Sequence, residues 1–432
     1  MKGEGKMALE DYEFGARRCS RDSICKFIPQ YAIKDARFAD CCPAISRYNL
    51  HAYSGGGRVI MANSLLQGRG EISEEVREIV FRCQLCGACQ TSCHIVTELV
   101  EPLEIARELK FRCVEEGKEN QALSSVRARL VKTNNIFGKK QSDRARWAEG
   151  LQAKDAGAEA VETLFFAGCR LSYDESFHPV ARKSLQLMLE AGMDVGILGK
   201  AETCCGGRLF DMGYRDDFHK LAGTLAKRIR SSGAYRLVTA CGCCYGTFRQ
   251  FFPMAGIDLE GVEVLHVSEV LEELLGEGKV ELKKAVPLRV AYHDPCHLGR
   301  LGEPYQRWEG QYVKQMGLWV AEPDREVRRG LGGVFDPPRK VISAIEGIRL
   351  VEMKRKREYA WCCGAGGGVL EAYPDFAAWT ALERMKEVVD EGCDALVTAC
   401  PWCETTFRMA IGESGGGGPR VMDLVELVAM AT

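Results

Sequence analysis

The stretch Leu237-Val-Thr-Ala-Cys-Gly-Cys-Cys-Tyr-Gly-Thr-Phe248 returns in the same frame as Leu396-Val-Thr-Ala-Cys-Pro-Trp-Cys-Glu-Thr-Thr-Phe407. In each, a short apolar run of strand type ends on a Cys-x-x-Cys, Cys241/Cys244 in one and Cys400/Cys403 in the other. Upstream of each lies an adjacent pair followed by glycine, Cys204-Cys205-Gly206 and Cys362-Cys363-Gly364, separated from the last motif by 35 and 36 residues. Further upstream each copy has a single cysteine where a strand should end, Cys169 or Cys296. There the intervals part, 34 residues against 65, so the second copy carries an insertion of about 30 residues, between about 298 and 361.

The first copy also shows its internal order. Thr163-Leu-Phe-Phe-Ala-Gly168 reads as a buried strand, Pro179 to Ala191 as a helix closed by Gly192, and Val195-Gly-Ile-Leu198 as another strand. Strand alternating with helix predicts an α/β unit with a largely parallel sheet, present twice. Residues 160–284 and 285–432 are therefore expected to be duplicated domains. Residues 1–159 read differently, as polar and helical. Ser73 is placed to cap a helix with Val76, Ile79 and Val80 on its apolar face, and Pro102 to open another that buries Ile105, Leu109 and Cys113.

Composition narrows the function. The 432 residues carry 58 basic and 60 acidic side chains, a net charge of −2, so no overall field attracts nucleic acid. No run of about 18 apolar residues spans a membrane, and Met1 to Phe14 lacks the apolar core of a secretory signal. The expected location is cytoplasmic, or peripheral on the cytoplasmic membrane through a partner. The abnormal figure is 21 cysteines. A long chain without a signal is not a disulfide scaffold, and so many thiols in a reducing compartment point to metal.

Cys83-Gln-Leu-Cys86-Gly-Ala-Cys89-Gln-Thr-Ser-Cys93 is the sharpest metal motif. Three thiolates two residues apart wrap one corner of a [4Fe–4S] cubane, and in two-cluster ferredoxins the fourth ligates the other cluster and precedes proline. Here His94 takes the place of that proline. Zinc is the alternative, although zinc motifs use pairs and not four cysteines in 11 residues. The second set must come from Cys19, Cys25, Cys41 and Cys42, the last followed by Pro43. By the same exchange, Cys83, Cys86, Cys89 and Cys42 would hold one cubane, and Cys19, Cys25, Cys41 and Cys93 the other. That some of these are packed thiols is the alternative.

Five cysteines per duplicated domain exceed what a cubane requires. Neighbouring side chains diverge, so an adjacent pair suits an opened cluster, and the glycines beside it let backbone N–H groups reach sulfur. The glycine run after Cys363 is not a dinucleotide loop, because Val369 stands where its third glycine should be. No flavin or nicotinamide site is expected in this chain.

The frame Cys-x(31–39)-Cys-Cys-Gly-x(35–36)-Cys-x-x-Cys resembles the cysteine-rich "CCG" domain of heterodisulfide reductase catalytic subunits. The first copy fits outright, and the second fits once its insertion is set aside. A helical ferredoxin-like domain followed by two CCG domains is similar to the fused membrane-type subunit of that family. So is the passage from Cys42-Pro43 through Ser54-Gly-Gly-Gly-Arg58 to Gly68. The resemblance implies two noncubane [4Fe–4S] clusters, related by pseudo-twofold symmetry, that cleave a disulfide between them. One would use Cys169, Cys204, Cys205, Cys241 and Cys244, the other Cys296, Cys362, Cys363, Cys400 and Cys403. It also implies redox partners: a flavoprotein, a hydrogenase-type subunit, or a membrane cytochrome b or quinone-reactive subunit. The implied substrate is a small disulfide or thiol. An electron relay between a flavin dehydrogenase and a quinone-reactive partner is the rival role, and a zinc-binding interaction module the rival class. Of the remaining cysteines, Cys113, Cys243 and Cys393 read as packing thiols. His293, His297 and Asp294 flank Cys296 and could tune the site or donate protons.

Overall fold

The structure is a computed structural model and describes residues 8–432. Its N-terminal part is helical and cysteine-rich. The Ser73 hydroxyl accepts the Val76 N–H and starts the helix Glu74–Phe81. Proline at the first turn, where no N–H is needed, opens both Pro43–Tyr48 and Pro102–Glu115. The last of these is buried along most of its length and packs against the helices Gly55–Leu66, Glu74–Phe81 and Ala88–Cys93.

Eleven strands follow among the described residues, the first nearly at the end of the helical part. The first sheet contains β1 (Lys154–Asp155), β2 (Thr163–Phe165), β3 (Val195–Ile197), β4 (Arg236–Thr239) and β5 (Glu263–His266), all parallel, in the order β1-β3-β2-β4-β5. The chain then forms β6 (Arg289–His293), a hairpin of β7 (Gln311–Gln315) and β8 (Leu318–Glu322), β9 (Arg349–Val351), β10 (Ala395–Thr398) and β11 (Arg420–Asp423). The second sheet, again all parallel, runs β9-β6-β10-β11, the order of β3-β2-β4-β5 in the first. Strands β2 and β10 are buried at every residue, as strands with helices on both faces must be.

Three details differ from the sequence reading. Strand β1 joins the first sheet from residues ahead of position 160, so that sheet draws its edge from the preceding segment. Strand β2 stops at Phe165, because Gly168 turns left-handed (φ 72°) and starts the short helix Gly168–Tyr173, which carries Cys169. The insertion is ordered and clamps the N-terminal part. Tyr312 of its hairpin stacks on Phe14 with centroids 4.6 Å apart, Arg325 pairs with Glu101, and Arg328 with Glu104 at 3.0 Å. His94 has its ring nitrogens 2.8 Å from the Arg328 carbonyl and 3.0 Å from that of Val100. A proline there could make neither contact.

Candidate metal centres

The thiols gather in four places. Cys42, Cys83, Cys86 and Cys89 line one cavity, with Gly55, Arg58 and Leu103 in its wall. Leu85 (φ 50°) and Gly87 (φ 79°) are both left-handed and turn the loop around Cys86, while Gly87 caps the helix Ala88–Cys93 that carries Cys89. A Cβ on Gly55 would lie 3.1 Å from the Cys89 sulfur, so the glycine gives that thiol its room. A second cavity is lined by Cys19, Cys25 and Cys93, together with Asp22, His51 and Gly56, whose N–H donates to the Cys25 sulfur at 3.1 Å. Cys41 does not line it. Its thiol donates to the Cys25 carbonyl at 3.3 Å and lies in an apolar cluster with Cys86 and Cys362.

In the first copy the five cysteines of the frame form an unbroken series of side-chain contacts, Cys169 to Cys204, Cys205, Cys244 and Cys241. In the second copy the series is Cys296, Cys362, Cys363, Cys403 and Cys400, the same order. Each pair is served alike by the backbone. The Gly206 N–H donates to the Cys204 sulfur, and the Gly364 N–H to that of Cys362, both at 3.4 Å. Both glycines are left-handed, and a Cβ on Gly364 would lie 2.4 Å from the Ala377 carbonyl oxygen. Cys241 and Cys400 each end a central strand and stand at the N-cap of the helix that follows, Gly242–Gly246 or Pro401–Glu413.

The two series meet. Cys400 contacts Cys241, and its sulfur lies 3.7 Å from that of Cys243. Cys243 packs across the two copies. It lines the first-copy cavity with Cys169, Cys204, Cys205 and Cys244, where Arg208, His297 and Trp402 close the wall. The sequence offered no sign of this beyond its position inside the motif. Arg170 and Arg208 stack over the Trp402 ring at 4.2 and 4.7 Å, which fixes that wall between the copies.

The second copy also meets the N-terminal part, through Cys86 and Cys362. That contact, and after it the Arg300 guanidinium, hold the Cys86 thiol down to about 6 against the opposing effect of burial. In the first copy, contact with Cys204 and the buried Arg144 hold Cys169 down to about 7. Arg144 is itself paired with Glu202 at 2.8 Å, whose carboxylate accepts the Gly168 N–H.

The polar residues near Cys296 divide by role. Asp294 is bound by both guanidinium nitrogens of Arg339, at 2.6 and 3.0 Å, and holds the loop. His297 faces the first-copy cavity, 3.5 Å from Asp211. His293 is buried, makes no hydrogen bond through either ring nitrogen by distance and angle, and lies against Cys363 and Cys403. Its counterpart in the first copy, three residues before Cys169, is Phe166. Replacing His293 by Phe is expected to lower iron retention or activity of the second-copy site by roughly 10–100-fold, with its EPR signal shifted and those of the N-terminal sites unchanged. An unaltered spectrum would make His293 a packing residue.

Among the described residues, His293, Cys363 and Cys403 form the one group of three or more whose donor atoms all come within 4.8 Å of one another. Around a tetrahedral ion with bonds of about 2.3 Å, sulfurs stand roughly 3.8 Å apart.

The CCG family, described as "Cysteine-rich domain", matches residues 163–249 and 326–408. A dihydromethanophenazine:CoB–CoM heterodisulfide reductase subunit from Methanosarcina acetivorans is 30% identical over 83% of this chain and 79% of its own. The chain belongs to the same family of heterodisulfide reductase subunits. The relative from Methanosarcina mazei is 31% identical with the same coverage. "Probable iron-sulfur-binding oxidoreductase FadF" of Bacillus subtilis is 26% identical over 82% of this chain and 46% of its own. This heterodisulfide reductase-like chain is an iron–sulfur oxidoreductase whose relatives include subunits of redox complexes. No helix among the described residues is long and apolar enough to cross a membrane.

Proposed function

We propose that the chain is the disulfide-reducing subunit of a redox complex, with two cubanes in its N-terminal part and a noncubane cluster in each CCG copy. The observation that carries this reading is the continuity of thiols: Cys86 against Cys362, and Cys400 against Cys241 and Cys243. When bound, the clusters would supply single-electron steps along that line, from the Cys19 end to the first-copy cavity. The chain's own residues do the rest. Burial of all ten frame cysteines excludes water. Cys204 and Cys362 receive matching backbone N–H bonds, which supports reading the two copies as equivalent sites. Arg208 in the wall of the first-copy cavity is paired with Glu371 and donates to the Ala365 carbonyl, and His297, 3.5 Å from Asp211, is placed to give a proton to the departing thiolate.

The relay reading keeps one supporting observation: EtfAB:quinone oxidoreductase of Syntrophomonas wolfei is 24% identical over 81% of this chain. The complete five-cysteine frames and the cavity with His297 favour disulfide chemistry. Anaerobically purified protein is expected to contain about 16 irons, four for each of four clusters. A content near eight, with no visible absorbance beyond that of cubanes, would remove the CCG clusters from the account. Stoichiometric zinc without iron would remove all four.

A further inference from the structure

The second N-terminal cavity contains three cysteines, not four, since Cys41 faces elsewhere. The identity of its fourth donor follows from the loop that makes the first. Cys83, Cys86 and Cys89 stand two residues apart, and so do Cys19, Asp22 and Cys25. The backbones agree as well. Cys86 lies between two left-handed residues, Leu85 (φ 50°) and Gly87 (φ 79°), and Asp22 between two others, Arg21 (φ 62°) and Ser23 (φ 70°). Two non-glycine residues with positive φ so close together are costly, which indicates a conformation imposed by something other than local preference. Ser23 also caps the short helical turn that carries Cys25, as Gly87 caps the helix that carries Cys89.

The correspondence extends to the exchanged ligands. Cys42 completes the first cavity and Cys93 the second, and the residues just before them are Cys41 and Ser92. Cys41 is thus the partner of a serine, and it lies beside that serine. We infer that Asp22, and not Cys41, is the fourth ligand of this cubane, through a carboxylate oxygen. Asp22 lines the cavity, and its oxygens now accept from the Ser20 hydroxyl and the Ile24 N–H, so one lone pair on each stays available. His51 also lines the cavity but stands outside the motif's register.

A carboxylate is a harder ligand than thiolate and holds cluster iron less firmly. The Asp22 iron is therefore the labile one. On mild oxidation one electron passes to the oxidant and one ferrous ion leaves, converting a [4Fe–4S]2+ centre to [3Fe–4S]+.

The inference rests on the cubane reading above, and one experiment separates their failures. The anaerobic full chain is treated with ferricyanide, and iron and EPR are measured for wild type, Asp22→Cys, Asp22→Ala, Cys41→Ser and Cys25→Ser. Wild type and Cys41→Ser are expected to lose about one iron per chain and show a three-iron signal. Asp22→Cys should resist, and Asp22→Ala should show the three-iron form as purified. An oxidised Asp22→Cys protein indistinguishable from wild type, or loss of the cluster in Cys41→Ser alone, would overturn the assignment. If Cys25→Ser removes no iron, the cubane itself is refuted.

Discussion

Cys205→Ser and Cys363→Ser are each expected to reduce disulfide turnover by more than about 10²-fold while the EPR signals of the N-terminal centres persist. Each cysteine is the middle member of its buried series, between Cys204 and Cys244 or between Cys362 and Cys403. Serine preserves the volume but replaces a soft thiolate by a hydroxyl that binds cluster iron poorly. The N-terminal thiols are held by other elements, the loops at Cys19–Cys25 and Cys83–Cys93 and the helices beginning at Pro43 and Pro102. Loss of one noncubane site should therefore leave them loaded. Iron content and EPR under mild reduction measure this, and loss of every signal together would mean that these cysteines hold the fold and not a separate reactive centre.

Arg300→Met is expected to destabilise the protein by about 3 kcal/mol or more and to uncouple the N-terminal centres from the CCG pair. Arg300 is buried and donates to three carbonyls, those of Cys86 at 2.6 Å, Glu358 at 2.6 Å and Ala360 at 2.7 Å. Its charge also faces Cys86, Cys296 and Cys362. Methionine keeps most of the volume but leaves two buried acceptors and one half-buried one without donors, each buried one costing about 1–3 kcal/mol before the site relaxes. Lysine should rescue only in part, because an ammonium cannot reproduce the planar fork. Chemical denaturation followed by visible absorbance tests the prediction, and an unchanged midpoint would show that the Cys86–Cys362 contact does not depend on this side chain.

The repeat made the α/β class and both cysteine frames legible, because strand, glycine and thiol spacings are local and occur twice. The Cys42-Pro43 pair pointed to the neighbourhood of Cys83, Cys86 and Cys89, and Cys42 lines their cavity. That Asp22 lines the second cavity and Cys41 does not was hidden, because a carboxylate at a cysteine's place leaves no mark in a cysteine count. The meeting of Cys243 with Cys400 depends on how two copies pack, which no spacing within one copy encodes. The hairpin in the insertion was hidden because its two five-residue strands are amphipathic only against the N-terminal segment they cover.

The most direct measurement of the four-cluster account is the Mössbauer spectrum of 57Fe-enriched, anaerobically purified protein, alone and with Cys205→Ser and Cys363→Ser combined. The account predicts about 16 irons, of which roughly half have cubane parameters and half a second environment that disappears in the double variant. A spectrum with cubane iron only, near eight per chain and unchanged in the double variant, would contradict it.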